Sequence, residues 1–253
     1  MYKLKLDAEG NFVRYKARLV AQGFSQVHGE DYTETFAPTA RLDTVRVLLS
    51  IAIQYGLLTH QLDVVTAYLQ GDLDEVIYMR QPPGYENGNR VLLLLKPLYG
   101  LKEAGRAWNT KLHKVLTERG FKRCLSETCV YVRRTKKSGI VIALIYVDDI
   151  LLFASDLKTM NEEKEAISQQ LKGTDAGEVN HYLGIKIERD VAAGTTTLSQ
   201  RAYIEAALSR FGLTKEFGGK TPMPSKLPLR ATPNSDIDPS LARAYAQRVG
   251  CLK

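Results

Sequence analysis

Three acidic side chains stand where the surrounding sequence is otherwise apolar. Asp148 and Asp149 interrupt the β-prone run IVIALIYVDDILLF, from Ile140 to Phe153, and Asp63 sits inside another, HQLDVVTAYL, from His60 to Leu69. An ionised carboxylate removed from water is expensive, or it takes up a proton instead. Two compensations are open: a bend that returns the pair to solvent, or bound divalent cations. Asp-Asp is a common turn dipeptide, and a lone acid at a strand end can face water. Together the three favour the metal reading. A two-metal centre needs acidic ligands around ions ~3.5–4 Å apart. Magnesium takes oxygen ligands and keeps waters and substrate phosphates in its shell. An adjacent pair at a hairpin bend with a third carboxylate from a neighbouring strand is a minimal set for metal-dependent nucleotidyl transfer.

The elements that must position these residues can be read from periodicity. The opening reads as a β-hairpin: Tyr2 to Leu6 alternates, 7–11 is a turn, and Phe12 to Phe24 returns as a strand. Arg41 to Tyr55 has helical spacing and Gly56 stops it. His60 to Leu69 is strand-like, Val76 to Met79 a short strand, and Val91 to Leu95 a buried strand by its continuous apolar run. Ala104 to Arg119 is a helix with Ala104, Trp108, Leu112 and Val115 on one face. Cys129 to Val132 and Ile140 to Phe153 are strands around a basic turn at 136–139. Ser155 or Asp156 caps a third helix running to Leu171. Tyr182 to Ile187 and Thr195 to Leu198 form another hairpin, and Arg201 to Phe211 a fourth helix. After Gly218 the chain is Pro-rich and polar, a loop or tail as far as Leu241. Hairpins mixed irregularly with helices predict an α+β fold with an antiparallel sheet. No glycine-rich phosphate loop of either common kind is present.

Composition narrows the class. The chain has 253 residues, 44% apolar and 25% charged, enough for one large domain or two small ones. No apolar stretch reaches the ~18 residues of a membrane helix. Three cysteines give no disulfide framework, and no Cys/His pairs stand at zinc-ligand spacing, which suits an intracellular, reducing setting. Net charge is +7, yet the stretch from Arg90 to Lys137 alone holds 13 Lys/Arg against 3 Asp/Glu. Such a bias suits a polyanionic partner, although a solvated surface would also produce it.

An ordered series of motifs carries a resemblance. It comprises Tyr15 to Phe24 (YKARLVAQGF), Glu34 to Pro38 (ETFAP), Gln61 to Leu69 (QLDVVTAYL), Gly71-Asp72-Leu73 and Ile77 to Gly84 (IYMRQPPG). Leu98 to Lys102 (LYGLK) with Trp108, Tyr146 to Asp149 (YVDD), Tyr182 to Ile185 (YLGI), Leu198-Ser199-Gln200 and Tyr203-Ile204 continue it. The chain resembles the reverse transcriptase domain of Ty1/copia-type LTR retrotransposon polyproteins over nearly its whole length.

The resemblance implies a right-hand polymerase with an antiparallel palm sheet. Fingers would span about 1–58 and 70–98, the palm 59–69 and 99–194, and the thumb with part of the connection 195–253. Asp63, Asp148 and Asp149 would be catalytic and would bind two Mg²⁺, Mn²⁺ being able to substitute, with the backbone carbonyl of Val64 as a further ligand. Lys16, Arg18, Tyr68, Tyr99, Gly100 and Lys102 would bind the incoming nucleotide. Tyr68 would pack under its sugar and exclude a 2′-hydroxyl, unless it is a core tyrosine, and either Lys16 or Arg18 would contact the triphosphate. Tyr146, Val147, Tyr182, Leu183 and Gly184 would contact primer and template. The implied partners are an RNA template, a DNA or RNA primer duplex and dNTPs, with integrase and RNase H in the same polyprotein and no membrane. The implied location is the cytoplasm, within a virus-like particle, and the nucleus. Gly105 stands where the family usually has proline, which loosens a helix start. Fingers that begin upstream and a connection that runs on downstream would make this chain a fragment. The readings that compete with an active polymerase are a silent relic that at most binds nucleic acid, and another palm-type enzyme such as a nucleotide cyclase.

Overall fold

The computed structural model describes residues 1–6, 11–135, 139–213 and 238–251. The expected turns at 7–11 and 136–139 fall largely outside these residues, as does most of the Pro-rich stretch after Gly218. In chain order the elements are β1 (Tyr2–Leu6), β2 (Phe12–Ala17), α1 (Leu42–Gln54), β3 (Leu58–Val64), β4 (Tyr78–Arg80) and β5 (Val91–Leu93). Next come α2 (Ala104–Glu118), β6 (Lys122–Arg123), β7 (Val130–Thr135), β8 (Gly139–Tyr146), β9 (Asp149–Ala154), α3 (Leu157–Leu171) and β10 (Gly173–Glu178). The chain closes with β11 (His181–Tyr182), β12 (Ile185–Asp190), β13 (Thr195–Ser199), α4 (Arg201–Arg210) and α5 (Pro239–Cys251). Helices and antiparallel sheets are mixed, as the α+β expectation requires. Among the described residues no helix is long and apolar enough to cross a membrane.

The chain divides into two compact units, one of Met1–Asn180 with Arg189–Thr196, the other of His181–Glu188 with Thr197–Lys253. The first is organised around a six-stranded sheet in the order β10-β3-β9-β8-β7-β6, every neighbouring pair antiparallel. One face carries Leu62 and Val64 from β3 with Ile150, Leu152 and Ala154 from β9. They pack with Trp108, Leu112 and Leu116 of α2 and with Met160, Ile167 and Leu171 of α3. The other face is buried too, through Thr59, Leu144, Leu151 and Phe153. Strands covered on both sides read as unbroken apolar runs rather than alternating ones, which is why β8 and β9 gave so clear a signal.

Local chemistry sets the ends of the elements. Asp156 caps α3, its carboxylate accepting from Thr159 N at 2.8 Å. Gly120 takes φ +83 just beyond α2, the left-handed conformation that ends helices. Several expectations need correction. The second strand stops at Ala17 instead of reaching Phe24, and Gly23–Ser25 is a short 3-10 turn. β3 ends at Val64, not Leu69, because Thr66 turns left-handed at φ +51 and Ala67–Gln70 coils into a 3-10 turn. Val91 to Leu93 is an exposed strand paired only with β4, not a buried one. β10 and α5 were not foreseen: GTDAGE has one β-former, Thr174, among residues that strands disfavour, and α5 buries none of its side chains.

In the second unit, Tyr182 and Ile185 pair across a two-residue turn, Leu183 at φ +51 and Gly184 at φ +77. Positive φ at both central positions is the type I′ signature. Tyr203 Oη of α4 donates to the Cys251 carbonyl of α5 at 2.7 Å.

Candidate active site

Sheet register brings the three acids together. Asp63 on β3 and Asp149 on β9 are direct Cα partners across neighbouring strands. Cross-strand partners project from the same face of a sheet. Tyr146 pairs with Asp149 to close the β8–β9 hairpin, so Val147 and Asp148 form its two-residue loop. The Asp148 carbonyl accepts from Val64 N at 2.8 Å, which locks the loop to the end of β3. The bend and the acid cluster are therefore one feature, and the two compensations considered from sequence are not exclusive.

The loop is strained. Val147 has φ +55, a conformation that glycine adopts freely and a β-branched residue resists, at roughly 1–3 kcal/mol. Its carbonyl accepts from the Trp108 indole N–H at 2.6 Å. Trp108 is 2% exposed and belongs to the α2 core cluster, so a rigid helix holds the loop in place. Sequence reasoning read Trp108 only as a core face. The available signal was that a buried indole N–H seeks an acceptor.

Gln61, two residues before Asp63 and on the same strand face, donates to Asp149 Oδ1 at 2.8 Å. Its residue type and its place in the QLDVVTAYL motif carry no sign of this role. Burial raises the pKa of Asp149 above the ordinary carboxylate value, the Gln61 hydrogen bond opposes the rise, and the charges of Asp148 and Asp63 add to it. Among the described residues no three His, Cys, Asp or Glu side chains are grouped closely enough to hold a metal ion.

A column of aromatic rings adjoins the acids. Thr66 and the 3-10 turn after it carry Tyr68 to Tyr99, ring centroids 4.6 Å apart at 57°. The Arg18 guanidinium stands over Tyr99, 5.3 Å from its centroid. Burial raises the pKa of both phenols; Tyr99 raises that of Tyr68 further, and Asp148 acts on both. Tyr68 packs against the core cluster while only partly buried, so it is at once a core and a site residue. The Tyr99 carbonyl accepts from Ala21 N at 2.7 Å, and a Cβ at Gly100 (φ +95) would collide with the Ala21 carbonyl. Glycine there permits a close backbone approach.

Other expected residues lie elsewhere. Lys102 points its ammonium at the Gln26 carbonyl (2.9 Å) and Tyr32 Oη (3.3 Å), bracing the 3-10 turn of 23–25 rather than joining the rings. Lys16 is paired across the β1–β2 ribbon with Lys3. Tyr182, Leu183 and Gly184 belong to the second unit.

Comparison with known proteins agrees with this picture. The family described as reverse transcriptase (RNA-dependent DNA polymerase) matches residues 1–225. The chain is 39% identical over 232 residues to the retrovirus-related Pol polyprotein from transposon TNT 1-94 of Nicotiana tabacum, covering 90% of this chain and 18% of that protein. It is 40% identical over 226 residues to the Pol polyprotein from transposon RE1 of Arabidopsis thaliana, covering 88% and 15%. A putative transposon Ty5-1 protein of Saccharomyces cerevisiae is 35% identical over 184 residues, 70% of this chain and 59% of that one. The chain thus spans less than a fifth of the two plant polyproteins. Nine-tenths of its own length nonetheless aligns with the first of them, and the acids, the strained loop and the aromatic column all lie within the matched residues: the chain belongs to the reverse transcriptase family of Ty1/copia-type retrotransposons.

Proposed function

We propose that this chain is the polymerising domain of a copia-type reverse transcriptase, adding dNTPs to a primer 3′-hydroxyl on an RNA template. The observation that carries the reading is the register pairing of Asp63 with Asp149, with Asp148 held beside them by the Val64 hydrogen bond. In this reading the six-stranded sheet with α2 and α3 is the palm, and residues 1–58 and 70–98 are fingers. The Leu183-Gly184 turn would contact primer, and the helices beyond Gln200 would form the thumb.

The donor set is all oxygen, the chemistry a hard divalent cation takes, and a bound cation would draw together carboxylates that are not grouped as metal ligands among the described residues. Burial first, then the charges of Asp148 and Asp63, disfavour ionised Asp149, and a cation would relieve the like charges. Asp63, Asp148, Asp149 and the Val64 carbonyl are the residues that would hold Mg²⁺ or Mn²⁺. When bound, such ions lower the pKa of a hydroxyl nucleophile and offset charge on transferring phosphates. Gln61 orients Asp149, and Trp108 fixes the loop that carries Asp148. Arg18, already over the Tyr99 ring, is the better placed of the two fingers cations to meet a triphosphate. Tyr68 closes the floor under the sugar, with Tyr99 behind it. In the polyprotein setting, integrase and RNase H would act on the same nucleic acid within a cytoplasmic particle.

Primer extension on an RNA template with Mg²⁺ tests the reading. Wild-type chain extends and Asp148→Asn does not. Equal incorporation by the two removes the assignment, and binding without extension by the wild type supports the silent relic instead.

A further inference from the structure

The turn that carries Tyr68 is held by a side chain outside the acid cluster. Strand β3 ends at Val64, Thr66 takes φ +51, and Ala67–Gln70 coils into the 3-10 turn bearing Tyr68. A β-branched residue resists that left-handed conformation, which persists only where the surroundings over-determine it. After Tyr68 the chain is pinned by packing. A Cβ at Gly71 would lie 3.0 Å from the Ala107 carbonyl carbon and 3.1 Å from Trp108 N, so the turn ends against the α2 backbone. Lys96 Nζ donates to the Gly71 carbonyl at 3.0 Å.

Before Tyr68 the pins are hydrogen bonds to the end of α3. Val65 N donates to the Lys172 carbonyl at 3.2 Å. Gln70 reaches back over the turn, its Nε2 donating to the Val65 carbonyl at 2.8 Å and to the Leu171 carbonyl at 2.7 Å. The Val65 carbonyl belongs to the planar peptide unit whose rotation is the φ of Thr66, so this bond bears directly on the strained torsion. Leu171 is the buried last residue of α3, and the final carbonyls of a helix have no donor within it. One primary amide thus spends both hydrogens, one on the chain leaving β3 and one on the helix. A carboxylate or a hydroxyl cannot donate twice. Turning the amide over would set its oxygen against two carbonyl oxygens, which fixes its orientation. Tyr68 itself touches both hydrophobic clusters of this unit and meets Tyr99 at 4.6 Å between centroids. A change in φ at Thr66 swings the whole 3-10 turn, and the ring with it.

We propose that Gln70 is a positioning residue for Tyr68: by locking the Val65–Thr66 peptide to the end of α3, it sets the distance of the ring from the incoming sugar, and so how strongly a 2′-hydroxyl is rejected. The proposal rests on the polymerase reading for the nucleotide; the lock itself stands on the hydrogen bonds.

The test measures kcat/KM for dATP and for rATP separately, in primer extension on an RNA template by the full chain. A side chain that only stabilises the fold lowers both values together and leaves their ratio alone, because unfolded molecules use neither nucleotide. Gln70→Met keeps an unbranched side chain of similar length and donates nothing. It should lower the dATP-to-rATP ratio about 10–100-fold, up to the loss expected when a positioned group moves by about 1 Å. Tyr68→Val should lower the ratio too, and adding Gln70→Met to it should lower it no further, since both act through one ring. A wild-type ratio in Gln70→Met overturns the proposal, as does an additive loss in the double variant. Ring placement is read without turnover by fluorine NMR of the chain carrying 3-fluorotyrosine, the Tyr68 line being identified by its loss in Tyr68→Phe. Gln70→Met should shift that line, and an unmoved line overturns the lock even in a chain that does not extend. A shifted line with no extension by the wild type keeps the lock and sinks the polymerase reading instead.

Discussion

Two acidic sites on the same six-stranded-sheet unit are built in opposite ways: Glu163 is buried, whereas Asp63 is exposed and Asp148 and Asp149 are partly buried. Glu163 of α3 is 3% exposed and is held between Arg119, just after α2, and Arg133 of β7. Arg119 Nη2 reaches Glu163 Oε2 at 2.8 Å, and Arg133 pairs with the other oxygen. Asp149, by contrast, has an amide for its partner and acids for its neighbours. Among the described residues no Lys or Arg stands at ion-pair distance from Asp148 or Asp149. Glu163 and, in part, Asp149 are both withdrawn from water, so burial alone does not mark function. A buried acid matched by guanidiniums ties elements together, and one left among like charges is a candidate functional group.

The sharpest way to break this contrast is to neutralise one acid in each cluster. Asp149→Asn should abolish extension, by more than the ~10–100-fold that loss of an outer partner of a metal ligand costs. In the absence of divalent ions it should leave the fold as stable as wild type or more so, because burial and its neighbours already disfavour the charge. Extension kinetics and urea unfolding in EDTA check the two halves; a clear loss of stability would move Asp149 into the structural group.

Glu163→Ala should do the opposite. Leaving two half-buried guanidiniums unmatched should cost about 3–5 kcal/mol, read by urea titration, while the remaining folded protein extends normally. A near-zero change would break the comparison from the other side.

Trp108→Phe probes the link between core and site. It keeps a ring in the α2 core and removes the N–H that the Val147 carbonyl accepts. We expect about 1–3 kcal/mol of lost stability and slower extension at unchanged Kd for primer–template. Unchanged extension would show that the strained loop holds its shape unaided.

The smallest effect concerns a third cluster of the matched kind. Lys164 Nζ reaches Asp175 Oδ2 at 2.7 Å and His60 Nδ1 at 3.0 Å. Burial, then the Lys164 charge, depresses the pKa of His60 below 6.5. The unfolded chain therefore takes up the proton first, and stability falls as pH drops below 6.5. His60→Gln should flatten the unfolding free energy between about pH 7 and 5. An unaltered slope would place the acid sensitivity elsewhere.

Legibility varied with the kind of signal. α3 was read almost to the residue because Asp156 is a capping side chain and Met160, Ile167 and Leu171 keep helical period. β8 and β9 were plain because both faces are buried. Val91 to Leu93 misled for the complementary reason: an apolar run does not report whether anything covers it. β10 was invisible because its main chain, not its side chains, earns its place beside β3. At the site, Asp63, Asp148 and Asp149 stood out as charges in apolar runs, whereas Gln61 and Trp108 are ordinary residue types whose work depends on what lies opposite.

Residue type and order alone settled that this chain carries three out-of-place carboxylates, a cationic middle and the motif series of its family, because the cost of charge in an apolar strand is local and visible in one dimension. Tertiary structure decided which charges are matched. The same basic stretch supplies Arg119 and Arg133 to Glu163 and leaves Arg106 and Arg123 lining a cleft. Register across β3 and β9, not spacing along the chain, sets Asp63 opposite Asp149. Pairing between strands is a long-range choice, fixed by which faces the core buries, and no single stretch of sequence contains it.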